Sequence, residues 1–368
     1  MTFRKTVFNG SWRRFPFPNW DDEIWDEETL LKYKRAMITH AQDPIELLDT
    51  PLYSNSIAGV GKSNGGVLAP NGFIYMHPNW HNRWIKIDPE NLTMTPVGPD
   101  YGGATSKFRG CFLGHTGKLY AVGSRNGFNV SVLDPEDDSV YNFGSLSGNG
   151  KFVGAVMSPQ GFGYTVPFSY PHIVKIDIEE ETLELIGNIP GLSKFRGAVL
   201  ADNGKIYFVP DSSNQVMVLN PETDEISFFG SGLGGRRFES GCLAPNGKIY
   251  CSNAAGTNIL VIDPETETTY FIPNSVPCIG FCLYNDGKLY TAPFNSNFMV
   301  ILDPETETVE HKFIPGLDTT FNAYYDVKVA FDGCMYGIPF SAGRVIRLSK
   351  PAEYVDQNDL LSRIRNRA

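Results

Sequence analysis

The sequence predicts an all-β chain: a seven-bladed β-propeller of four-stranded antiparallel blades, preceded by an N-terminal arm containing one helix. Three observations predict it. A turn glycine recurs as Gly72, Gly117, Gly161, Gly204, Gly247, Gly287 and Gly333, at gaps of 45, 44, 43, 43, 40 and 46 residues. A tyrosine follows three places after each one, as Tyr75, Tyr120, Tyr164, Tyr207, Tyr250, Tyr290 and Tyr336. A second turn marker comes 16 or 17 residues after the glycine. It reads Asp-Pro-Glu from Asp88, Asp134, Asp263 and Asp303, Asn220-Pro221 in another copy, and is degenerate at Asp177. A period in this range with two turn markers is the signature of a propeller blade.

Each copy divides into four short strands. The first is apolar and led by glycine, as in Gly241-Cys242-Leu243-Ala244. An Asn-Gly or Asp-Gly turn follows, because a tight hairpin needs a positive φ. The second strand carries the tyrosine, which is expected to pack between neighbouring blades. The third alternates, as in Ile259 and Val261, and ends at Asp263. Pro264 and Glu265 then turn the chain, since proline fixes φ and cannot extend a ladder. The fourth strand ends near another Gly or Pro. One blade cannot bury both faces, so blades stack around an axis.

The seventh copy stops after its third strand, near Arg344 to Leu348. Its fourth strand is expected from residues 45–53, which would remove the free sheet edges that invite aggregation. The domain reading is an arm over 1–44 with a helix at 21–41, a propeller over 45–350, and a short helical tail over 351–368.

Residues 64–350, with their Pro-Asn-Gly-Lys-Ile-Tyr and Ile-Asp-Pro-Glu-Thr rhythm, resemble the YVTN and NHL-type propeller superfamily. The resemblance implies a fold. It implies no single function, because such propellers include enzymes, binders and scaffolds.

Composition agrees. Gly and Pro supply 37 and 25 of the 368 residues, which suits tight turns rather than helices. A net charge of −10 argues against a protein coated in basic surface for nucleic acid. The first fifteen residues hold no apolar core of a secretory signal, and no run of 18 apolar residues spans a membrane. The expected location is cytoplasmic or within a particle. Cys111, Cys242, Cys251, Cys278, Cys282 and Cys334 contain no Cys-x-x-Cys pair and are expected to be reduced and buried.

Strand order sorts the loops into two faces. One collects the acidic turns, among them Asp88, Glu136, Asp138, Glu181, Asp224, Glu267 and Glu307. The other collects the crossovers between blades. These carry Lys107, Arg109, Lys151, Lys194, Arg196, Arg236 and Arg237, in the sequences Lys-Phe-Arg-Gly, Lys-Phe-Val-Gly and Arg-Arg-Phe. Their heads are expected to ring the axial opening and attract an anionic or glycan ligand. The alternative is that repetition merely copied a solvated cation. The same face bears aromatic loops with Trp80, Trp84, Phe168, Tyr170, Phe294 and Phe340, which read as interface or as loop packing.

Catalytic and cofactor motifs fail on context. Gly230, Gly232 and Gly235 match a dinucleotide pattern but precede a strand, not the helix that would hold pyrophosphate. Gly61-Lys62-Ser63 ends like a phosphate loop, but Ser56 stands where its first glycine belongs. His77 and His81 lack an evident third metal ligand. Lactonase-type propellers hold a metal with axial carboxylates, and here only Glu239 and Asp326 approach that role. No cofactor is predicted.

Three of the five tryptophans, Trp12, Trp20 and Trp25, lie in the arm. Leu30, Tyr33 and Met37 form one stripe of its helix. These residues are read as docking a protein partner, against the alternative that the arm covers the propeller's own flank. The function read from the sequence is a binding or structural module in a larger assembly, such as a virus or phage particle. The alternative is a propeller enzyme of lyase or lactonase type, acting in the axial mouth.

Overall fold

A computed structural model describes residues 46–48, 63–91, 93–125, 127, 129–314, 323–340 and 345–348. The arm residues 1–44 with the helix expected at 21–41, the phosphate-loop-like Gly61-Lys62 and the tail 351–368 lie outside the described residues.

The described chain forms seven antiparallel sheets of four strands, six of them meandering outward in sequence order. We number the blades by their innermost strands: Gly66–Leu68, Phe108–Leu113, Phe152–Met157, Phe195–Leu200, Phe238–Leu243, Cys278–Leu283 and Tyr324–Val329. Every element among the described residues is a strand. Blade 7 is completed from the other end of the chain. Glu46–Leu48 pairs antiparallel with Val345–Leu348, in the register Glu46 with Arg347.

The seven tyrosines are buried between blades. Five of them also stitch one blade to the next through the hydroxyl. Tyr75 donates to Asp138 at 2.7 Å, and Tyr164 to Asp224 at 3.0 Å. Both aspartates also hold a lysine, Lys86 and Lys175. Tyr207 donates to the Pro264 carbonyl, Tyr250 to that of Pro304, and Tyr336 to that of Pro89, which ties blade 7 to blade 1. A buried hydroxyl needs such a partner, so the acidic turn face is partly a structural seam.

The innermost strands of blades 2 to 7 share an irregularity. Register with the second strand slips near the start of each, as between Phe108 and Cys111, between Phe195 and Gly197, and between Tyr324 and Asp326. A bulge adds a residue and re-aims its side chain. Here it lets inner strands approach closely. A Cβ on Gly110, whose φ is +143°, would sit 2.5 Å from Cα of Gly154. Glycine is required there by contact between backbones.

Candidate site at the axial mouth of the crossover face

Backbone hydrogen bonds fix this face. The amide of Lys107 donates to the Asn79 carbonyl, that of Lys151 to Ser124, and that of Lys194 to Phe168. Each crossover therefore rests on the loop after the second strand of the preceding blade.

The structure divides the predicted cations into two kinds. Lys107, Lys151 and Lys194 are buried. The Lys107 ammonium donates to the carbonyls of Gly102 and Ala104, that of Lys151 to Arg125 and Leu146, and that of Lys194 to Tyr170 and Gly191. Their donors are spent on crossover backbone, and burial lowers all three pKa values. They do not line an opening, which corrects the expectation that these lysines join the arginines in ringing the axial opening. Arg236 also leaves the axis. Its Nε donates to the Gly232 carbonyl, and its guanidinium lies 4.8 Å from the Phe271 ring on an outer strand. Trp84 is fully buried, with its indole N–H donating to Ser131 of blade 2. It fills the seam between blades and reaches no ligand.

Arg109, Arg196 and Arg237 do come together. Arg109 and Arg196 stand on bulges of blades 2 and 4 and flank Phe168 of blade 3. Their Cζ atoms lie 5.9 and 5.1 Å from its ring centroid. Arg196 donates from Nε to Asp211 at 2.7 Å and from Nη1 to Glu239 at 3.0 Å. Arg237, mostly exposed, lies 3.9 Å from the other oxygen of Glu239. Arg109 differs: its guanidinium has no carboxylate or hydrogen-bond acceptor among the described residues. Burial lowers its pKa, and Arg196 lowers it further.

An aromatic wall faces the arginines. Trp80, 41% exposed, meets Phe340 edge-on at 6.3 Å. Phe340 packs on Tyr325 at 4.6 Å, and Tyr325 on Phe294 at 5.4 Å. Tyr325 stands on the bulge of blade 7. Burial raises its pKa, and it feels Glu239, Arg196, Arg109 and Arg237. Two of the three guanidiniums, Arg196 and Arg237, therefore share two carboxylates beside an aromatic surface.

The axial carboxylates are occupied. Glu239 is paired with Arg196, and Asp326 lies 2.9 Å from Lys328 while accepting the Gly66 amide. Among the described residues no three His, Cys, Asp or Glu side chains converge as a metal site. Sequence reasoning passed over Asp211 and Tyr325. Asp211 reads as an ordinary loop residue, and Tyr325 as part of a strand; the bulges that aim these neighbours carry no residue signature of their own.

No family model matches the chain, and no curated protein does. Solved structures match in fold. A streptogramin B lyase aligns with TM-score 0.66 at 11% identity, over 82% of this chain and 96% of its own. Virginiamycin B lyase from Staphylococcus aureus, substituted with selenomethionine, gives 0.67 at 11%, over 83% and 98%. YCF48 bound to D1 peptide gives 0.64 at 11%, over 85% and 98%. At such identities the likeness is one of fold, and these folds serve lyase and peptide-binding proteins alike.

Proposed function

We propose that this protein is a binding module whose axial mouth, on the crossover face, takes an anionic ligand bearing a flat apolar group. The observation that carries the reading is Arg109. A half-buried guanidinium beside a second arginine, with no acceptor among the described residues, is a place for an anion to complete. Phe168, Trp80, Phe340 and Tyr325, with buried Phe294 packed behind Tyr325, supply the apolar half. Bulges hold Arg109, Arg196 and Tyr325, and loops after the second strands hold the other aromatics, which keeps the ordering cost of binding low.

The test is calorimetry with benzenesulfonate against acetate, on the wild type and Arg109→Ala. Binding of benzenesulfonate, weaker for acetate, lost in Arg109→Ala and weakened by salt supports the reading. Equal binding by wild type and variant would refute it. Turnover of a ligand at the mouth would instead support the lyase reading.

The same proposal keeps residues 1–44 as the dock for a protein partner in a larger assembly, on the concentration of tryptophan there. Deletion of residues 1–40 should abolish assembly and leave the melting temperature unchanged. A lowered melting temperature would assign the arm to the propeller's own flank.

A further inference from the structure

His77 is an exception to the repeat. The residue two places after the repeated tyrosine is Val122, Val166, Val209, Ala292 and Ile338 in five other blades, all buried. In blade 5 it is Ser252, whose hydroxyl is hydrogen-bonded to Ser240 at 2.8 Å. The slot looks onto the starts of the inner strands. In blade 4, Val209 Cγ2 lies 3.5 and 3.1 Å from where Cβ atoms on Gly197 and Gly241 would be. In blade 1 the slot holds an imidazole that is 1% exposed, and neither ring nitrogen has a hydrogen-bond partner among the described residues. Buried polar groups are ordinarily paired, so an orphan in an apolar slot points to an unmet demand.

The register shows where that demand lies. The Lys107 amide donates to the Asn79 carbonyl, and the Phe108 amide to that of Pro78. Arg109 is the next residue of that strand, and its charge reaches His77, the residue before Pro78. Two groups that have no hydrogen-bond acceptor among the described residues are therefore near neighbours, Arg109 at the mouth and His77 buried behind it.

We infer that His77 is the second polar arm of this site: it hydrogen-bonds the acid group that Arg109 holds and takes up a proton as it does so. The inference rests on the binding reading above and narrows it. The ligand is an acid, such as a carboxylate, sulfonate or phosphate monoester, and it binds more tightly in mild acid.

The electrostatics give the sign. Two cationic or titratable groups act on His77, Arg109 from blade 2 and His81 from its own loop. Burial, then His81 and Arg109, push its pKa down to about 3, so the empty site carries a neutral imidazole at ordinary pH. An anion between His77 and Arg109 cancels the repulsion and accepts the new N–H. The bound state then holds a proton that the free state does not, and affinity rises as pH falls through the bound-state pKa. No covalent change is involved.

Benzenesulfonate is the probe, because its charge is constant between pH 5 and 7.5. Its affinity for the wild type should rise about tenfold from pH 7.5 to 5, the effect expected when the bound anion lifts the imidazole pKa to about 6, one unit above the lower pH. His77→Val, the residue of three other blades, should give a pH-independent affinity, about tenfold weaker than wild type at pH 5. That variant should also melt no lower than wild type, since it removes an unpaired polar group from an apolar slot. Nitrogen-labelled histidine spectra should show one imidazole protonating at pH 5 only with probe bound. Binding that needs Arg109 but is flat with pH, or unchanged in His77→Val, would overturn the role of His77 and leave the Arg109 site standing. No binding by the wild type at any pH would overturn both.

Discussion

Arg196 bridges two carboxylates, and its removal should be among the most damaging single changes at the mouth. Its side chain is 18% exposed, those of Asp211 and Glu239 only 7% and 6%. Arg196→Met keeps much of the volume and deletes both charge-assisted hydrogen bonds. Such bonds are each worth about 1.5–3 kcal/mol, and breaking a buried pair by losing one partner costs about 3–5 kcal/mol because the orphaned charge stays buried. Arg237 offers partial relief, but it is 61% exposed, 3.9 Å from Glu239 only, and out of contact with Asp211. We expect a loss of about 3 kcal/mol, at the lower end of that range. Urea denaturation at pH 7 measures it as a lower midpoint at constant slope. Adding Glu239→Gln to Arg196→Met should restore about 1 kcal/mol by neutralising one orphan. A loss in Arg196→Met below about 1 kcal/mol would show that these charges are solvated and would remove the physical basis assigned to the mouth.

Lys151→Met leaves the carbonyls of Arg125 and Leu146 without their donor and should cost about 1–3 kcal/mol in urea denaturation; a change within about 0.5 kcal/mol would mark Lys151 as a solvated surface cation. His77 sets a pH dependence of stability. Its folded-state pKa of about 3 lies below the ordinary 6.5, so the unfolded chain takes up the proton first. Stability is then complete above pH 6.5 and falls by about 1.4 kcal/mol per unit as pH drops toward the folded value. The urea midpoint of wild type minus that of His77→Val should therefore fall between pH 6.5 and 5, and a constant difference would refute the assignment. Deleting residues 1–53 removes the outer strand Glu46–Leu48 of blade 7 and should lower the melting temperature and promote association through the freed edge; a truncated chain that melts like the full one would show that closure contributes nothing.

The fold was legible because a blade is specified by local chemistry. Turn glycines such as Gly72 and Gly117 supply a positive φ, the Asp-Pro turns end the third strand, and one tyrosine per copy marks the seam. The closing strand followed from counting, since the seventh copy lacks its fourth strand. The site was only half legible. Lys107 and Arg109 are two residues apart, and strand alternation would send both to one side. The bulge beginning at Phe108 breaks that parity: Lys107 turns back onto crossover carbonyls, while Arg109 stays at the mouth. The same break separates Lys194 from Arg196. Trp84 reads as part of an aromatic loop, but it opens the third strand of blade 1 and is drawn into the seam.

The repeat provides its own control for separating function from scaffold. A residue type that recurs at one slot in several blades and meets the same partners in each is explained by the blade. The buried tyrosines and the three crossover lysines are of this kind. The start of the inner strand behaves differently. It presents Arg109, Val153, Arg196, Glu239 and Tyr325 on five blades, so the bulge geometry is common and the side chain is free to vary. The slot after the tyrosine is almost uniformly apolar, and His77 breaks it next to Arg109. Glycine at the close backbone approaches makes room for these departures without changing the ring. Specific chemistry is therefore to be sought where a side chain lacks the partner that its copies find, and two such side chains among the described residues, Arg109 and His77, belong to neighbouring blades 2 and 1.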